Sequence, residues 1–237
     1  GIGRAAQGGR HPAPHAAHRM NPVNSVILVH GIWAHGVTMM MMKIRLEKEY
    51  GFDVHLFNYP SVTGSLDDNA RRLSDYIRSQ GLDATHIIGH SLGGVIALRM
   101  YALDEDAVPG RLVCIGSPLT GSRAAEFLSK KNWAEPILGE SLPAGVVHEA
   151  ANKWASHVCK TRDVGSLAGT MSMGVGRLLT SFDSENDGTV AVAETRLDGA
   201  KDHICLPVSH TNMLLSSEVV DQAVAFLKRG EFLRADT

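Results

Sequence analysis

The chain lacks a charge imbalance, a cysteine framework and any long apolar run. Its 237 residues carry 23 Lys and Arg against 25 Asp and Glu, a net charge of −2, so no field favours nucleic acid or an anionic membrane. Its cysteines number three, Cys114, Cys159 and Cys205, an odd count with no metal-ligand spacing. Cys114 and Cys205 fall in strand-like runs, where buried free thiols are expected, and this suits a reducing compartment. No apolar run approaches the length of a membrane span, and no internal repeat is visible. Residues 1–19 are mostly Gly, Ala, Pro, Arg and His and contain no apolar h-region, so they do not read as a secretory signal. A disordered leader or expression-derived segment is expected there, with His11, His15 and His18 solvated and Met20 placed as a start just before the first strand. The expected setting is cytoplasmic, with no metal, no cofactor, no nucleic acid and no integral membrane segment.

What is present is an ordinary globular balance, 44% apolar and 20% charged, enough to bury one fairly large domain. It is organised around Ile87-Ile88-Gly89-His90-Ser91-Leu92-Gly93-Gly94-Val95-Ile96. This stretch reads as an apolar strand, a tight turn with a serine at its tip, and an apolar helix. Gly89, Ser91 and Gly93 fit G-x-S-x-G, a spacing with a physical reason. A serine at the apex of a strand-to-helix turn has a strained backbone, and its neighbours two residues away must lack side chains for strand and helix to approach.

Around it the pattern alternates. Val26–His30, Val54–Tyr59, Ala84–Ile88 and Arg111–Gly116 read as strands, and Thr38–Tyr50, Asp67–Ser79 and Leu92–Leu103 as helices, with Thr38 a possible cap. Alternation of this kind predicts a mostly parallel, twisted sheet with helices on both faces. From Leu119 to Thr180 the alternation stops: helical pieces at Arg123–Lys131 and Val146–Val158 and a Gly/Ser/Met segment at Gly165–Gly176 offer no convincing strand. A helical cap over the C-terminal edge of the sheet is expected there, within a domain spanning residues 20–237. Strands are expected again at Thr189–Val192 and His203–Val208, and a closing helix at Ser217–Lys228.

A serine hydroxyl is a weak nucleophile and needs a base oriented by an acid. In an open α/β sheet such groups converge at the C-terminal strand ends. His210 follows the last strand directly, whereas its rival His203 lies at the strand's other end. Asp187, before Gly188 in a turn, is the preferred acid, and Asp183 and Glu185 read as solvated loop charges. The oxyanion formed on attack needs N–H donors, expected from Leu92 and from the loop after His30-Gly31, with Ile32 first and Trp33 second. Met39–Met42 read as helix core in preference to an acyl-chain wall, and Trp33 as either a pocket wall or a loop anchor.

Together His30-Gly31-Ile32-Trp33, Gly89-His90-Ser91-Leu92-Gly93-Gly94, Asn186-Asp187-Gly188-Thr189-Val190 and Ser209-His210-Thr211 resemble the α/β-hydrolase superfamily, in particular small bacterial lipases and esterases. The resemblance covers about residues 25–228 and has the order Ser, Asp, His. It implies Ser91 as nucleophile, His210 as base and then acid, Asp187 as orienter, and Leu92 and Ile32 as oxyanion donors; Trp33 and His90, beside these motifs, are the expected substrate contacts. The implied activity is hydrolysis of small-molecule carboxylic esters with short to medium acyl chains. A thioesterase, acyltransferase or lipid deacylase on the same scaffold is the alternative, and a catalytically silent binding protein the third reading.

Overall fold

The structure, a computed structural model, describes residues 23–32, 34–104, 106–120, 150–172 and 184–234. Among these residues six strands form one parallel sheet: β1 (Ser25–Val29), β2 (Asp53–Phe57), β3 (His86–His90), β4 (Leu112–Ile115), β5 (Val164–Gly169) and β6 (Asp202–Leu206), in the order β2-β1-β3-β4-β5-β6. Among the described residues five helices flank it: α1 (Met40–Tyr50), α2 (Leu66–Ser79), α3 (Leu92–Leu103), α4 (Ala150–Val158) and α5 (Ser217–Arg229).

The period-2 geometry of a strand explains the layering. Ile27, Val29, Ile87, Leu112 and Cys114 point to the face covered by α2, α3 and α4. Val26, Leu28, Ile88, Val113 and Ile115 point to the face covered by α1 and α5. Both faces are covered, so the inner strands are apolar without alternation. Each Ile or Leu buried there contributes about 1.5–3 kcal/mol.

The helices begin and end where local chemistry dictates. Ser65 caps α2 by accepting the Asp68 N–H, and Ser216 caps α5 by accepting that of Val219. Gly51 ends α1 in the left-handed region at φ 72°. Thr38 does not cap α1: it sits in a 3-10 turn, Gly36–Met39, and its hydroxyl donates to the His35 carbonyl.

Three further expectations are corrected. The stretch expected to be a strandless cap contains β5 and its preceding helix α4, both part of the core. Ala155 and Val158 of α4 pack into the same cluster as α3. The β5 sequence Val-Gly-Ser-Leu-Ala-Gly hides its strand character because its neighbours demand small residues. A Cβ on Gly165 would come within 2.7 Å of the Phe226 ring, and one on Gly169 within 2.4 Å of Met213 Cε. Strand propensity measures fit to a pleated surface, and here the fit favours glycine. Residues 121–149 and 173–180 of that stretch, Arg123–Lys131 among them, lie outside the described residues, as does the expected leader. Second, Thr189–Val192 is not a strand: Val190 and Ala191 are apolar because they are buried in a loop that closes with a bridge between Asn186 and Ala191 and a 3-10 turn, Val192–Thr195. Third, Cys205 is exposed, because β6 is an edge strand, whereas Cys114 is buried. Among the described residues, no helix is long and apolar enough to cross a membrane.

Candidate active site

Ser91 stands between β3 and α3 with φ 53° and ψ −123°. It is the one non-glycine residue with positive φ among the described residues. Such a conformation costs about 1–3 kcal/mol and persists because the surroundings over-determine it. A Cβ on Gly89 would lie 2.4 Å from the Gly94 nitrogen, and one on Gly93 would lie 2.1 Å from the Val29 oxygen. The two glycines are therefore the condition under which α3 packs back onto β1 and β3. The Ser91 N–H donates to the Ile115 carbonyl at 2.9 Å, tying the elbow to β4.

His210 lies four residues past β6, and its Nδ1 donates to Asp187 Oδ2 at 2.7 Å. Its backbone N–H donates to the Asp187 carbonyl at 2.9 Å. Asp187 is 1% exposed, and its other carboxylate oxygen accepts the N–H groups of Thr189 at 2.9 Å and Val190 at 2.7 Å. With Nδ1 spent as donor, the neutral His210 ring keeps Nε2 as an acceptor. Gly116, at φ 55°, lets the pair close up: a Cβ there would come within 3.1 Å of Asp187 Oδ2 and 3.2 Å of His210 Nδ1. The rivals stand elsewhere. His203 is the second residue of β6 and bonds Thr195 Oγ1 at 2.9 Å, Glu185 is exposed, and Asp183 lies outside the described residues.

Ser91 and His210 line one cavity of about 390 Å³, together with Gly31, Ile32, Ala34, Thr38, His90, Thr189, Thr211, Leu214 and Leu215. Leu92 is the first residue of α3, so its N–H has no partner within the helix and stands at the helix's positive end. On the other wall, His30 Nδ1 donates to the Gly31 carbonyl at 2.8 Å. The peptide is trans, so the Ile32 N–H points the opposite way, away from the His30 ring. His30 itself is fixed by stacking on Tyr59 at 4.3 Å, and the Tyr59 hydroxyl donates to the His30 carbonyl at 2.6 Å. Burial lowers the pKa of His30 and keeps the ring neutral.

His90 borders the cavity, and its Nε2 donates to the His210 carbonyl at 3.0 Å. Trp33 lies outside the described residues. Met39 and Met42 are core, Met41 is about half exposed, and the cavity contact in that region comes from Thr38. Leu214 and Leu215 were not anticipated; their position, four and five residues after His210 in the same turn, was the available signal. Among the described residues no cluster of His, Cys, Asp or Glu is arranged to hold a metal ion.

A six-stranded parallel sheet with a strained serine at one strand end and a His–Asp pair at another belongs to a recognisable class. The sequence matches the Alpha/beta hydrolase family over residues 26–214, and the chain belongs to that family. Among characterised sequences it is similar to N-formylmaleamate deformylase of Pseudomonas putida, with 28% identity over 121 residues, 46% of this chain and 43% of that protein. The match thus spans less than half the deformylase's length. Among solved structures it is similar to Bacillus licheniformis lipase BlEst2. Its mature form superposes with a TM-score of 0.72 at 17% identity, over 95% of this chain and 96% of that one. The propeptide form gives 0.74 at 17% identity, over 96% of this chain and 53% of that chain. The metagenomic carboxyl esterase MGS0156 gives 0.67 at 19% identity, over 81% of this chain and 65% of that chain. Identities this low establish a common fold.

Proposed function

We propose that the protein is a serine hydrolase that cleaves small carboxylic esters of short to medium acyl chain through an acyl-enzyme on Ser91. The observation that carries this reading is the 2.7 Å bond from His210 Nδ1 to Asp187 Oδ2, made by a histidine that faces the same cavity as the elbow serine. Ser91 Oγ attacks the ester carbonyl while His210 Nε2 takes its proton. The oxyanion is met by the N–H groups of Leu92 and Ile32. His210 returns the proton to the leaving alcohol, and Asp187 steadies the imidazolium. Water, deprotonated by His210, then releases the acid and restores Ser91.

Size and lining support the substrate class. The cavity sits at the low end of the volumes that hold small ligands, about 300–1,000 Å³. Ile32, Ala34, Leu214 and Leu215 give it apolar walls, and among the described residues no Lys, Arg, Asp or Glu lines it. A neutral acyl chain is therefore favoured over an anionic one, which would be desolvated without a counter-charge. The deformylase similarity favours one second reading, hydrolysis of a C–N bond by the same machinery.

Ser91→Ala tests the assignment. Hydrolysis of p-nitrophenyl esters from acetate to octanoate should fall by about 10⁶-fold in kcat with the circular dichroism spectrum unchanged. Retained turnover overturns the nucleophile. An anilide series run alongside decides between ester and amide.

A further inference from the structure

We propose that His90 is a positioning residue: its Nε2–H, donated to the His210 carbonyl, fastens the loop carrying the base to the strand carrying the nucleophile. The inference rests on the triad reading above and adds a part that reading does not contain.

Two of the three contacts holding His210 come from Asp187: the ring bond and the backbone bond. Both set the base relative to the acid. Neither relates it to Ser91, which is reached through a different strand. The bond from His90 supplies that relation, because His90 immediately precedes Ser91 and is the last residue of β3. A carbonyl oxygen accepts only, so His90 must be the donor, and its neutral ring is the Nε2–H tautomer. The ring lies 4.7 Å from that of His210, tilted 46°. On the other side, a Cβ on Gly31 would meet His90 Nδ1 at 3.4 Å and the Ser91 Cβ at 3.1 Å. One buried ring thus spans the gap between the oxyanion loop and the base loop, on the backbone of the strained elbow. The elbow cannot shift without losing the packing of Gly89 and Gly93, so it is a rigid anchor for the strut.

The charge state fits this use. The titratable groups facing His90 are His210 and Asp187 from the two loops and His30 from the end of β1. Burial first, then the neighbouring His210, pulls the His90 pKa down to about 3. A neutral strut leaves His210 free to become imidazolium during catalysis without a second cation 4.7 Å away.

Two variants separate the bond from the bulk. His90→Phe keeps a ring and removes the donor; His90→Gln keeps an amide N–H at comparable reach. His90→Phe should lose about 10²-fold in kcat on a p-nitrophenyl ester, the cost of a base displaced by about 1 Å, with KM changed less than threefold. His90→Gln should recover most of that loss at an unchanged melting temperature. Full activity in His90→Phe, or equal loss in both variants, overturns the strut. A measurement on the unmodified protein does not depend on either variant folding. Long-range ¹H–¹⁵N correlation should show His90 as the neutral Nε2–H tautomer from pH 8 down to pH 5, and an Nδ1–H tautomer or a charged ring overturns the proposal. Failure of the parent reading looks different: a fluorophosphonate probe would then leave Ser91 unlabelled in the unmodified protein.

Discussion

Two segments meet at the cavity, and they are fixed by opposite means. The Ser91 elbow is held by exclusion. Its backbone is strained, and it stays in place because strand and helix touch across glycines with no room for a Cβ. The Asp187 loop is held by attraction. Its backbone is relaxed, and its carboxylate gathers three N–H donors, from Thr189, Val190 and His210. Steric fixation is insensitive to charge and intolerant of added atoms. Polar fixation tolerates shape and fails when a donor or acceptor changes sign. Each segment therefore has its own mode of failure.

The largest expected effect breaks the steric side. In Gly93→Ala the new methyl would sit 2.1 Å from the Val29 oxygen and 2.7 Å from that of His30, both backbone atoms that cannot swing aside. Helix α3 must leave β1, which should cost more than about 4 kcal/mol and take the protein out of the soluble fraction. Urea unfolding of any recovered protein checks this. A variant within 1 kcal/mol of the parent, measured at the same urea midpoint slope, would show that the elbow is looser than its contacts imply.

The polar side should break the other way, losing activity and keeping the fold. Asp187→Asn retains an oxygen for the Thr189 and Val190 N–H groups. The amide nitrogen, facing His210 Nδ1, cannot accept its proton. His210 then turns to the Nε2–H tautomer and has no lone pair for the serine proton. kcat should fall by about 10³–10⁴-fold. Stability should fall by about 1–1.5 kcal/mol, the difference between a hydrogen bond to a charged carboxylate and a neutral one. Stopped assays on an ester substrate with parallel urea melts give both numbers, and loss of fold without a separate loss of activity would erase the distinction.

The same contrast explains what was legible in the sequence. Steric fixation writes itself into residue types, because only glycine fits, so Gly89, Ser91 and Gly93 announced the elbow. Polar fixation used backbone N–H groups, which every residue has. The Asp187-Gly188 turn was legible, but the run Thr189–Val192, whose Val190, Ala191 and Val192 are buried, imitated a strand. Strand β5 was lost for a related reason. Its glycines answer to the Phe226 ring and to Met213, residues more than forty positions away, and nothing local records that demand. The inner strands β1, β3 and β4 were readable because their apolar runs answer to burial on both faces.

The smallest effect sharpens the comparison by asking whether the steric side is insensitive to pH throughout. Strand β3 begins with His86, 5% exposed, whose Nδ1 accepts the Arg111 N–H at 2.9 Å. That bond requires an unprotonated Nδ1. Burial first, then the Arg111 charge, lowers the His86 pKa from its ordinary 6.5 to about 4. Between those values the unfolded chain binds a proton that the folded protein refuses, so stability is full above pH 6.5 and declines as pH falls toward 4. At pH 5 the decline from this group alone is about 2 kcal/mol relative to pH 7. The paired carboxylates Asp67, Asp163 and Asp202 have pKa values lowered from 3.8, so they lose their contribution below this window. His30, His90 and His203 are also lowered and add to the slope in the same direction, so the group must be isolated by substitution. His86→Asn places an oxygen near the Nδ1 position and removes the titration. Urea unfolding at pH 7 and pH 5 should then show a decline smaller than the parent's by about 2 kcal/mol, whatever the variant's stability at pH 7. Equal declines in the two proteins would mean that His86 is protonated in the fold, and that the strand beneath the Ser91 elbow is held against acid by packing alone.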